Sequence, residues 1–270
     1  MTAMVHQLES DARLFFQGAV LSYKALFEWF HPVYYLASKV AAPLGQILFF
    51  TFLGTYATGQ GTASFYIVGN AVQLAAISGV FGVTMSIAGD RQSGTLPYLF
   101  GTPANRLAMF VGRAAIHVID GMVGVLLGLM WGVALLGLDL SRADPWGLLL
   151  AVVAVSFSTS GLGLLLGSLC LITVNVMFVN NLIYFLLLIF SGSNLALNQL
   201  PMWMQVVSKG IPLTRGIEAA RALIGGASLA QVGPLLIQEA AIGLVYLVAG
   251  YLLFRWFEFN AKRAGTLDIV

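Results

Sequence analysis

From Val40 to Gly89 the chain runs for fifty residues without one Asp, Glu, Lys, Arg or His, and from Pro145 to Ser208 it is again free of charge. Soluble domains carry about 25% charged residues. This chain carries 9%, against 59% hydrophobic residues. Runs of this length and composition belong in a lipid bilayer. A helix crosses one with about 20 mainly apolar residues, its backbone polar groups satisfied within the segment. The fold class that follows is all-α, a polytopic membrane protein forming a single domain over residues 1–270.

Each charge-free run holds two spans. The first two fall at about 33–54 and 64–88, on either side of the Gly- and Thr-rich turn GTYATGQGTAS. A third runs from about 107 to 137 and ends at DLSRADPWG, a loop with three charges and a proline. Two more lie at about 146–170 and 174–193, and a sixth at about 232–254. Residues 194–231 mix two prolines, charges and apolar residues. They read as short helices lying in, or dipping into, the membrane interface.

Six spans place both termini on one side. That side then carries nine of the thirteen Lys and Arg residues, which makes it the cytoplasmic one. The opening MTAMVHQLESDARLFF has acids at Glu9 and Asp11 and does not look like a signal peptide, so the spans themselves are expected to direct insertion. Phe16, Val20, Tyr23, Phe27 and Phe30 recur at spacings of four and three. Arg13, Gln17, Lys24, Glu28 and His31 form a polar stripe beside them. Residues 10–31 therefore read as an amphipathic helix in contact with membrane lipids, stopped by Pro32.

Several chemistries are excluded. Cys170 is the single cysteine, so neither an internal disulfide nor a cysteine metal cluster forms. The four lysines follow Tyr23, Ser38, Ser208 and Ala261, never glycine, so no phosphate-binding loop is present. No Gly-x-Ser-x-Gly occurs, which disfavours a serine hydrolase. A net charge of +2 implies no nucleic-acid partner. The chain is expected to have no catalytic residue, metal or cofactor of its own.

Polar residues at membrane depth are the remaining candidates. Arg113, His117 and Asp120 share one face of the third span. They read either as a local ladder fixing one helix or as a proton relay, and the latter would suit a proton-coupled secondary transporter. Lys39, near the start of the first span, is placed to snorkel to the interface. Asn180 and Asn181 could bond between helices or line a path, as could Gln46, Asn70, Gln73 and Asn175. Gly124, Gly128 and Gly132 repeat at four, as do Thr159, Gly163 and Gly167. Such stripes mark close helix packing, within one chain or between two copies.

Between spans two and three lies GDRQSGTLPYLFGTPANR, residues 89–106. Gly94 permits a tight bend and Thr95 suits the start of a short helix. Leu96, Tyr98, Leu99 and Phe100 supply an apolar plug of the kind that fills a groove on a partner. Thr102 as N-cap and Pro103 at the first helical position restart the helix, with Arg106 at the membrane surface.

The order Asp90-Arg91-Gln92-Ser93-Gly94-Thr95-Leu96, then Thr102-Pro103-Ala104-Asn105-Arg106, resembles the membrane subunits of type-two ABC exporters, the permeases of polysaccharide, antibiotic and drug exporters. The family usually has Glu where this chain has Asp90 or Arg91, and Pro97 is unusual after Gly-Thr-Leu. Ile211-Pro212-Leu213-Thr214 and Glu218 through Gly226 are similar to the family's re-entrant element before the last span. The amphipathic opening helix is similar to its interfacial helix.

The resemblance implies a bacterial cytoplasmic membrane protein that pairs with a second permease and with separate ATPase subunits. ATP and Mg would sit on those partners. Residues 89–106 would be the coupling helix, and Asp90, Arg91, Gly94, Thr95, Leu96, Tyr98, Leu99, Phe100, Thr102, Pro103 and Arg106 its docking residues. Asp120, His117, Asn180, Asn181 and Arg221 are then candidates for gating or for the path of an amphipathic or lipid-linked substrate. A non-transporting membrane scaffold is the third reading.

Overall fold

A computed structural model describes residues 13–20, 32–102, 105–171 and 175–264. Among them the secondary structure is helical throughout, without a strand. Helix α1 covers 13–20. Then follow α2 (Pro32–Thr58), α3 (Ala63–Gln73), α4 (Val83–Gln92), α5 (Leu96–Gly101), α6 (Arg106–Leu136) and α7 (Pro145–Leu169). The chain ends with α8 (Val176–Phe190), α9 (Met202–Ser208), α10 (Thr214–Ile224) and α11 (Leu229–Ala264). A turn at Leu74 and a π-helical stretch, Ile77–Gly82, join α3 to α4 into one broken span.

Among the described residues five segments are long and apolar enough to cross a membrane: Lys39–Thr58, Ala63–Arg91, Arg106–Leu136, Pro145–Leu169 and Leu229–Arg263. The expected fifth span differs. Its helix, α8, has only 15 residues, about 22 Å at 1.5 Å per residue against a hydrocarbon core of about 30 Å. Asn175 caps its start, accepting from the Phe178 N–H at 3.0 Å. The last helix overruns its expected end near residue 254 by about ten residues. Arg255 and Lys262 both donate to Glu258 within that extra stretch, at 2.8 Å each, and hold it helical.

The broken second span is the centre of the molecule. Ile67, Val68, Ala71, Val72, Leu74, Ala75 and Ala76 are all shut off from solvent. Both small-residue stripes turn onto it. A Cβ at Gly128 would press on Leu74 and Ala71, and one at Gly132 on Ile67. A Cβ at Gly163 would overlap the Gly79 carbonyl oxygen, and one at Gly167 would press on Ile87. The stripes therefore serve packing within one chain. On its other side α7 lies against α11, where a Cβ on Gly243 would come within 2.7 Å of the Ser158 backbone and one on Gly250 within 2.7 Å of that of Leu165, leaving no room for either.

This arrangement has two ends. Residues 89–106 share one end with the close of α11, joined by the Arg106–Glu258 pair. The other end gathers the loop at 137–144, residues 191–213 and α10, which is wedged against α3, α7 and α11. Of the opening amphipathic helix, only residues 13–20 are described. Gly18 and Phe15 meet α6 at Met109 and Gly112, leaving Phe16 and Val20 outward. Tyr23, Lys24, Phe27, Glu28, Phe30 and His31 lie outside the described residues.

Candidate functional site

The segment 89–106 is a short helix slung between two anchors. Gly94 sits at φ +66°, a conformation that favours glycine, and turns the chain out of α4. The six-residue α5 follows. Its Tyr98 is 79% exposed. Gly94, Thr95 and Thr102 are exposed as well. The side chains of Leu96, Leu99 and Phe100, and all of Pro103, lie outside the described residues.

The charged residues of the segment turn inward. Asp90 accepts from Arg113, which also donates to the Ser86 carbonyl at 3.1 Å. Thr95 donates to the Asp90 carbonyl at 3.1 Å. Arg91 donates to the Cys170 carbonyl at 3.3 Å, beside the end of α7. Arg106 is buried, not stretched along the membrane surface. Its Nε donates to Glu258 of α11 at 2.9 Å, and its two terminal nitrogens donate to the Thr102 hydroxyl and carbonyl at 3.2 and 2.8 Å. The expected cap differs too. Asn105, and not Thr102, caps α6, accepting from the Leu107 and Ala108 N–H groups at 3.0 and 3.3 Å.

Within the bundle, Arg113, His117 and Asp120 do not form a hydrogen-bonded ladder. Arg113 serves Asp90 at one level. Asp120 pairs with Lys39 of α2 at 2.5 Å and accepts from Ser78 of the π-helical stretch. Lys39 thus ties two spans together, with its head turned into the bundle away from the interface. His117 is fully buried against Gly82, and neither ring nitrogen has a hydrogen-bond partner among the described residues. Asn180 is likewise buried with its amide unpartnered among them, whereas Asn181 is exposed and donates to the Met177 carbonyl at 2.9 Å. Adjacent positions thus separate one amide facing the protein from one facing outward.

At the opposite end, Arg221 of α10 reaches across to the start of α3. Its guanidinium lies 3.5 Å over the Phe65 ring and donates to the Phe65, Gly192 and Ser193 carbonyls at 2.9 to 3.3 Å. It fastens α10 to α3 and to the strand of chain that follows α8. A cleft of about 510 Å³ lies beside it, with Phe65, Leu138 and Asp139 in its wall. The backbone N–H of Ser141 holds the Asp139 carboxyl below its ordinary range.

Two carboxylates in α11 have as strong a claim as Asp120, and the sequence reading passes over both. Glu239 is fully buried. It accepts from the Leu213 and Gly216 N–H groups at 2.7 and 3.2 Å and from the Ser158 hydroxyl, so it caps α10 from outside that helix. Leu213 takes φ +79° there, the one non-glycine residue with positive φ among those described. Glu258 is the buried acceptor for Arg106. For Glu239 the available signal was the one that singled out Asp120, an acid inside an otherwise apolar stretch, whereas Glu258 lies among Arg255, Lys262 and Arg263 and carries no such signal.

Residues 18–224 match the family described as ABC-2 type transporter. The match takes in the broken span, the 89–106 segment and α10, and stops before α11. A comparison with curated proteins returns no match. With its all-helical membrane bundle and more than half its length matched, the chain belongs to the ABC-2 type transporter family, the membrane subunits of ABC transporters.

Proposed function

We propose that this chain forms the translocation path of an ATP-driven exporter and is moved by a separate ATPase that docks on residues 89–106. The observation that carries this reading is α5 itself. A six-residue helix follows the Gly94 bend, presents Tyr98 outward, and is held at both flanks by its own charges, through Asp90 to Arg113 and Arg106 to Glu258. A loop serving only to mark the cytoplasmic side would need neither a helix nor two cross-helix ion pairs.

In this reading both termini and the docking segment are cytoplasmic, in a bacterial cytoplasmic membrane. Two permeases act together, and ATP and Mg belong to the partner. Exposed Phe, Leu and Met on the bundle suit an amphipathic or lipid-linked substrate. Proton coupling through Asp120 is less favoured, because Lys39 already neutralises that acid.

A charge placed on the plug tests the docking. In Tyr98→Glu and Leu99→Glu, co-purification of the partner ATPase should fall about tenfold or more, the loss expected when a charge enters an apolar groove, while insertion persists. Undiminished co-purification in both variants contradicts the docking assignment.

A further inference from the structure

Helix α11 carries two buried carboxylates, one toward each end of the bundle, and each holds a different element by its backbone or its cation. Glu258 accepts from Arg106, which in turn grips Thr102 at the close of the 89–106 segment. Glu239 accepts from Leu213 and Gly216, the first turn of α10. Nineteen residues separate the two acids, about 28 Å of helix at 1.5 Å per residue. No proline interrupts that stretch; Pro234 lies before it.

The contact beside it is close. Gly243 and Gly250 lay α11 backbone to backbone on α7. Ser158 and Ser168 of α7 bond to Glu239 and to the Gly250 carbonyl, the latter at 2.9 Å. Backbones this close, with the Phe157 ring against Gly243 and Phe254 packed with Leu164, hold α7 and α11 together as one stiff unit. At the far end the turn before α10 is strained at Leu213, whose φ of +79° needs surrounding contacts to persist. That turn is pinned by one carboxylate from another helix, so a change at Glu239 acts on it directly.

We propose that Glu258 and Glu239 are positioning residues for transport, and that α11 carries displacement of the 89–106 segment to the N-terminus of α10. The proposal rests on the docking reading for the source of the displacement; the linkage itself is a property of this chain. Motion at Arg106 draws on Glu258, α11 moves with α7 as one unit, and Glu239 then loosens or tightens the turn at Leu213. Helix α10, fixed at its other end by Arg221, swings about that anchor.

The test uses the full chain in membranes with Cys170→Ser and a reporter at Thr214→Cys. Thr214 is buried at the start of α10 and its hydroxyl has no partner among the described residues, so the reporter disturbs little. Maleimide labelling of the reporter reads opening of the turn. Glu258→Gln, at the other end of the bundle, should change the labelling rate about fivefold or more, the scale of a typical coupling between sites. Glu239→Gln should change it at least as much, and the double variant no more than the larger single one. Glu258→Asp, which keeps the carboxylate for Arg106, should stay closer to the parent rate than Glu258→Gln.

Two controls separate linkage from general loosening. Arg255→Gln removes a neighbour of Glu258 that lies on α11 itself and should leave labelling unchanged. A second reporter, Val125→Cys, buried in α6, should label no faster in any variant. An unchanged rate at residue 214 in Glu258→Gln, or additive effects of the two glutamate variants, overturns the proposal. If Glu258→Gln does not accumulate, Arg106→Lys gives the same comparison. Tyr98→Glu reports on docking alone, so retained ATPase binding in that variant counts against the docking reading without touching the labelling result.

Discussion

Lys39 and Asp120 meet across two helices at 2.5 Å, each side chain about 15% exposed. Removing one member of a buried pair leaves the other uncompensated, typically at about 3–5 kcal/mol, while replacing both by apolar residues is often neutral. Asp120→Asn should accordingly lower thermal stability in detergent by about that amount, and Lys39→Met with Asp120→Leu should recover most of it. A proton relay predicts the reverse pattern, with the single variant stable and the pH dependence of transport altered. The sequence places Asp120 at membrane depth and demands a partner for it, but it does not choose the partner. Arg113 and His117 are near in number, while Lys39 is near only after α2 folds back along α6. Glu239 is hidden for the same reason, since its ligands are backbone N–H groups of another helix and carry no residue signature.

Among elements, the glycine stripes separate what is legible from what is not. Spacing at four predicts close packing at Gly163 and Gly128, and the helices do approach there. Which surface receives them depends on the broken second span, whose π-helical stretch brings Gly79 against α7. Gly163→Ala should therefore push two backbones apart and cost about 1–3 kcal/mol, seen as a lowered unfolding temperature. Gly45→Ala in α2, where a Cβ meets nothing within 4 Å, should instead gain up to about 1 kcal/mol of helix propensity. Equal effects of the two would deny the close approach. The outlines of α2, α6 and α7 follow from the apolar runs and their caps. The shortness of α8 and the length of α11 do not, because hydropathy reports which residues suit lipid and is silent on where a helix stops.

At the scale of the whole molecule, two ends of the bundle are held by buried charge, with the 89–106 segment at one and α10 at the other. Membership of the ABC-2 type transporter family fits a subunit that receives motion at one end and opens at the other. The central claim is that a separate ATPase grips α5. A photo-crosslinking amino acid at position 98 addresses it directly in cells that express the whole transporter, with the same group at position 56 as control. Tyr56 is also highly exposed but lies at the opposite end of the bundle. The adduct at position 98 should contain an ATPase chain with a phosphate-binding loop, and position 56 should yield none. No ATPase adduct at position 98, or equal yields at both positions, would contradict it.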